Sequence, residues 1–198
     1  ETSITAGGVP TDFFVGTFDS CASEAFALIP RVGVDAAEVT QTDTRVSLAI
    51  GDHVAIGGNT FSRTPFALVW EIVRQKKKGL MISRNITSSE GDLLLAGGCT
   101  RHYLTSWFSQ GIIWGVSRVM RHFVESGEVR YDEWSHMSIG MMYRAGALGL
   151  PFMPTRVMMG SDMARLVQDE IKEMVCPFTG DKLALLPALN PDVALIHV

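Results

Sequence analysis

The sequence predicts an α/β fold, a mainly parallel open sheet with helices on both faces. Short apolar runs closed by glycine alternate with stretches of three-to-four apolar spacing. Strands interleaved with helices in this way imply parallel pairing, with each connection crossing over a face of the sheet. Length and composition agree: 198 residues, 46% hydrophobic and 19% charged, suit one ordinary domain with a real core and exclude disorder.

Residues 1–45 are rich in Gly, Thr, Ser and Asp, with short apolar clusters at Phe13–Val15 and Ala25–Ile29, and point to no chemistry. The domain proper is read as residues 46–198. Val54-Ala55-Ile56 followed by Gly57-Gly58 is a buried strand running into a turn. Pro65 opens a helix through about Gln75, because its missing N–H costs nothing at a first turn and Phe66, Val69, Trp70 and Val73 share one face. Gly79 ends that helix and Leu80-Met81-Ile82 begins a second strand, followed by a polar loop over 87–92. Leu93-Leu94-Leu95 then precedes Gly97-Gly98. Further elements are a strand over 103–108, a helix over about 114–126, a helix over 139–148 halted by Gly149 and Pro151, a last helix over 163–174, and a terminal strand over 193–197.

Charge and cysteine usage narrow the partners. A formal net charge of -4 gives no electrostatic reason for nucleic acid or an anionic membrane, and Lys76-Lys77-Lys78 reads as a solvated helix end. No apolar run reaches membrane-spanning length and no signal-like segment opens the chain. Cys21, Cys99 and Cys176 are odd in number and far apart, matching neither a disulfide framework nor a zinc site, so a reducing cytoplasm is expected. The five His lack metal-ligand spacing, and no metal is expected. Neither G-x-G-x-x-G, nor a P-loop, nor G-x-S-x-G occurs.

Ligands of open α/β sheets bind beyond the carboxyl ends of the strands. Three segments are placed there by this reading: Gly57–Ser62, Ser88–Asp92 and Gly160–Asp162. Gly57 and Gly58 allow a close backbone approach, and Asn59, Thr60 and Ser62 add neutral hydrogen-bonding groups. The same glycines also suit a turn that needs them only for packing.

Gly51-Asp52-His53-Val54-Ala55-Ile56-Gly57-Gly58-Asn59 with Arg63-Thr64-Pro65 resembles the opening signature of family I coenzyme A transferases, the Arg63 version resembling glutaconate CoA-transferase α chains. Similar matches are Gly115-Val116-Ser117-Arg118, Phe123, Glu125-Ser126-Gly127, Ala147–Pro154, Gly160-Ser161, Pro187 and Asp192–His197. Asn59 stands where the signature usually has Phe. The resemblance covers about residues 46–198 in order and implies the family's NagB/RpiA-like topology. Family α chains usually continue beyond the segment equivalent to His197, so either a fragment or a homologue shortened at its C-terminus is expected.

The resemblance implies an α-type subunit working with a β-type subunit, in a heterodimer or heterotetramer. The substrate would be a coenzyme A thioester, with no bound cofactor. The family's nucleophile is a β-chain Glu in Ser-Glu-Asn-Gly, which this chain lacks, so no catalytic residue is assigned. The α-type chain would line the acyl or carboxylate pocket through Gly57, Gly58, Asn59, Thr60, Ser88 and Ser89, with Gly160 and Ser161 as further candidates. Glu90 is a nucleophile or base candidate, weighed against an exposed loop carboxylate. His136 is a base candidate, weighed against a structural histidine. Two other readings stand beside the transferase: an acyl-CoA hydrolase related to ring-cleaving enzymes, and a truncated subunit that binds without turnover.

Overall fold

The computed structural model describes residues 25–28, 48–111 and 113–197, with the backbone alone at 25–28. Most of the N-terminal segment, including Phe13–Val15 and Cys21, lies outside the described residues. The elements run β1 (Ala25–Leu28), β2 (His53–Ile56), α1 (Phe66–Arg74), β3 (Leu80–Thr87), α2 (Ser89–Ala96), β4 (Thr100–Phe108) and α3 (Arg118–Glu125). Then follow β5 (Arg130–Glu133), α4 (His136–Ala147), β6 (Phe152–Thr155), α5 (Asp162–Leu166), β7 (Lys172–Val175), β8 (Lys182–Pro187) and β9 (Val193–His197).

Among the described residues, six strands form one sheet in the order β1-β9-β2-β3-β4-β5. β9, β2, β3, β4 and β5 are parallel, and β1 joins antiparallel along β9. The predicted α/β class and parallel sheet therefore hold. Strand alternation divides the core in two. Val54, Ile56, Ile82, Tyr103 and Leu195 pack with Leu68, Val69, Ile72, Leu94 and Leu95 under α1 and α2. On the opposite face Leu104 packs with Trp134, Ile139, Met142 and Leu186 beneath α4.

The main departure is a second sheet, antiparallel, in the order β6-β8-β7. The helix expected over 163–174 ends at Leu166, and Lys172–Val175 is strand. Met163, Ala164, Val167 and Ile171 all face the second core. That spacing imitates one helical face, but Glu170 and Ile171 turn back onto the Val167 carbonyl. Pro177–Asp181 then reverses the chain, closed by Gly180 N–H to Cys176 O at 2.9 Å and Cys176 N–H to Asp181 O at 2.7 Å. Two smaller corrections concern starts. α3 begins only at Arg118, where the Ser117 side chain caps Val119 and Met120. The loop expected over 87–92 is already helix from Ser89.

Candidate functional site

Four connections leave the carboxyl ends of β2, β3, β4 and β5 and enter α1, α2, α3 and α4, so all four meet along one edge of the sheet. Gly57, Gly58, Asn59 and Thr60 lie in the first, and Ser88 and Ser89 in the second. The structure brings these six predicted residues to the same edge. It does not bring Gly160 and Ser161 there: they follow β6 of the small sheet, where Ser161 caps α5 by accepting from Ala164 N–H at 3.2 Å.

The first connection is a tight, exposed turn. Asn59 and Ser62 exchange two backbone hydrogen bonds of 2.8 Å. Gly58 has φ 100, and a Cβ there would stand 2.4 Å from the Arg63 carbonyl oxygen, so only glycine fits. Thr60 (φ 54) and Arg63 (φ 55) hold left-handed conformations without being glycine, which a side chain adopts only when surrounding contacts impose it.

At Thr60 a buried charge pair beneath the turn supplies such a contact. Arg84 on β3 and Glu90 on α2 are 1% and 0% exposed, and Arg84 Nη1 pairs with Glu90 Oε1. Glu90 also accepts the Ser88 N–H at 2.9 Å and the Ser88 hydroxyl at 2.7 Å. Arg84 Nη2 donates to the Thr60 carbonyl at 2.9 Å and to the Thr64 hydroxyl at 3.0 Å. Glu90 is thus not an exposed loop carboxylate, the bland alternative to a catalytic role. It is a buried partner of an arginine, in ion-pair contact with Arg84 and accepting two hydrogen bonds from Ser88. Sequence reasoning passed over Arg84, although a cation flanked by Ile82 and Ile86 on the core face of a strand demands a buried partner.

The other face of the edge carries a polar row. Asn85 on β3, Ser106 on β4 and His136 at the first turn of α4 follow one another: Ser106 Oγ lies 3.1 Å from Asn85 Oδ1 and 3.2 Å from His136 Nδ1. His136 is exposed. Deeper on that face His53 Nε2 lies 2.5 Å from Ser83 Oγ, which lies 2.6 Å from the Tyr143 hydroxyl. Burial pushes the His53 ring down to about 4, against the attraction of Asp192 and aided by the nearby His102. Burial likewise pushes the Tyr143 phenol up to about 12, opposed by the Ser83 hydrogen bond. Along the rim, Phe61, Trp107, Ile113 and Trp114 stand 50%, 52%, 87% and 80% exposed. Among the described residues no group of three or more His, Cys, Asp or Glu is placed to hold a metal, and no helix is long and apolar enough to cross a membrane.

The sequence pattern of the family described as Coenzyme A transferase matches residues 39–198. The chain belongs to the coenzyme A transferase family. Its similarity extends to the A-type chain of 3-oxoadipate CoA-transferase from Pseudomonas knackmussii, 41% identical over 150 residues, covering 74% of this chain and 52% of the relative. The A-type chain of glutaconate CoA-transferase from Acidaminococcus fermentans is 33% identical over 162 residues, covering 74% and 51%. The crystal structure of glutaconate CoA-transferase from that organism superposes with a TM-score of 0.67 at 30% identity, covering 73% of this chain and 50% of the solved one. The IpdA subunit of a cholesterol ring-cleaving hydrolase from Rhodococcus jostii is 28% identical over 183 residues, covering 81% and 58%. The chain therefore spans about half the length of these coenzyme A transferase relatives.

Proposed function

We propose that this chain is the α-type subunit of an enzyme that moves coenzyme A between an acyl-CoA and a carboxylic acid, with the nucleophile supplied by a β-type partner. The observation that carries this reading is the burial of Glu90 against Arg84. That acid is committed to holding the edge together, as Asp92 beside it is bonded to Gln110 and Ser117, while the exposed turn above offers backbone and hydroxyl groups. Such an edge binds and orients an acyl or carboxylate group and leaves covalent chemistry to a second chain. The A-type relatives point the same way.

The reaction then runs as two exchanges on the partner's glutamate. Its carboxylate attacks the thioester carbonyl, and the coenzyme A thiolate leaves an acyl-glutamyl anhydride. The thiolate attacks the glutamyl carbonyl of that anhydride, releasing the carboxylate and leaving a glutamyl-CoA thioester. An acceptor carboxylate reverses both steps. Each requires the reactants to be held in contact, donors for the developing oxyanion, and exclusion of water. This chain would contribute the first and last through the Gly57–Ser62 turn and the Ser88-Ser89 helix start.

The test is acyl-CoA turnover by the purified chain, alone and with a co-encoded β-type chain, with a panel of carboxylate acceptors and a free-thiol readout. Transfer only with both chains, without thiol accumulation, is the expected result. Thiol release independent of acceptor would instead establish hydrolysis. That second reading draws on His136, exposed beside Ser106, and on the ring-cleaving relative. Stable complex formation with neither reaction would leave a binding subunit.

A further inference from the structure

The Thr60 carbonyl oxygen is where three side chains converge. Arg84 Nη2 donates to it at 2.9 Å, the Thr64 hydroxyl at 3.2 Å and the Ser88 hydroxyl, shared with Glu90, at 3.3 Å. Arg84 cannot turn away, because its other arm pairs with the fully buried Glu90. A trans peptide fixes the carbonyl and the following N–H in opposite directions, and there is no cis peptide among the described residues. With the Thr60 carbonyl drawn inward, the Phe61 N–H faces outward, on the exposed side of the turn. Among the described residues no acceptor takes that N–H.

We propose that Arg84 is a positioning residue, which locks the Thr60–Phe61 peptide so that the Phe61 N–H donates to a carboxylate oxygen of the acyl acceptor. This rests on the transferase reading above, and it gives the buried pair a purpose beyond packing. A preorganised backbone donor needs no reorganisation when the anion arrives. A site held by a buried, hydrogen-bonded support keeps its geometry better than a free loop does. Lysine does not substitute for Arg84 here, because a single ammonium cannot span Glu90 on one side and both Thr60 and Thr64 on the other.

The experiment compares the native and Arg84→Lys chains, each assembled with the β-type partner. One readout is hydrogen exchange of backbone amides. The other is steady-state kinetics with whichever of acetate, glutarate and benzoate the native complex accepts. Arg84→Lys should speed exchange across residues 58–64 by about tenfold or more while leaving residues 80–87 of β3 unchanged. It should also raise the KM for the carboxylate by about tenfold with kcat nearly preserved, the signature of lost ground-state binding. Ser88→Ala, which removes one donor and no charge, should move both readouts in the same direction by less, and it decides the matter if Arg84→Lys does not fold. Unchanged exchange over 58–64 overturns the clamp. Faster exchange with an unaltered carboxylate KM overturns the donor role of Phe61. If the native complex transfers nothing, the transferase reading fails by itself, while the exchange result still decides whether Arg84 holds the turn.

Discussion

His53 opens β2 with its ring over Ser83 and its backbone N–H donated to Asp192 Oδ2 at 2.8 Å. Burial holds its pKa near 4, whereas in the unfolded chain it titrates near 6.5. Between those values the unfolded chain binds a proton that the folded one refuses. Stability is therefore complete above about pH 6.5 and falls as the pH drops toward 4, by up to about 1.4 kcal/mol per pH unit. Asp132 behaves differently. Although burial opposes it, contacts with His102 and Arg130 hold its carboxyl below the ordinary range, so its contribution is lost only at still lower pH. Urea midpoints at pH 7, 6 and 5 should show the decline in the native chain and a flatter profile in His53→Gln. An equal slope in both would assign the effect elsewhere. None of this was legible at His53 in the sequence, since a histidine beginning a strand carries no mark of what will cover it. Glu90 is the opposite case. The sequence marked it through Ser89-Glu90-Gly91, but its role depended on Arg84, six positions earlier on a different element, and no local pattern announces that meeting.

Among the elements, α4 shows how closely the second core is built. A Cβ on Gly146 would lie 2.1 Å from the Leu189 carbonyl oxygen and 2.8 Å from Asn190 Oδ1, and Leu189 N–H donates to the Met142 carbonyl at 3.0 Å. Gly146→Ala should therefore destabilise by about 1–3 kcal/mol through overpacking against backbone. Gly140, on the same helix with open space around its would-be Cβ, is the internal control. Gly140→Ala should be neutral or stabilising by up to about 1 kcal/mol from helix propensity. Thermal melts of both variants check the pair, and a loss at both positions would point to the helix itself rather than the contact. Elements bounded by strong punctuation were readable: Pro65 and Gly79 bracket α1, and Gly149 with Pro151 closes α4. The small sheet was not. β7 is mostly exposed and lacks the apolar run of a central strand, so its identity as a strand depends on β8 beside it.

At the scale of the whole molecule, the parallel sheet and the edge where its loops gather were readable because alternation of element types fixes both. Which loops share that edge was less so: Gly160 and Ser161 resemble a strand-to-helix turn locally, but the turn belongs to the other sheet. The same architecture distributes the four tryptophans unevenly. Trp134 is 1% exposed in the second core, while Trp70, Trp107 and Trp114 are 56%, 52% and 80% exposed. Intrinsic fluorescence should then be dominated by solvent-relaxed, long-wavelength emission even in the folded chain, and acrylamide should quench most of it. Unfolding would register mainly as the red shift of Trp134, a small change on a large background. Under the proposed assembly, a β-type chain that covers the loop edge should do the reverse, shielding Trp107 and Trp114 and shifting emission to the blue, while Trp70 on α1 stays quenchable. The rim that carries the exposed aromatics would thus double as a built-in optical probe, silent to much of the folding transition and reporting the proposed assembly.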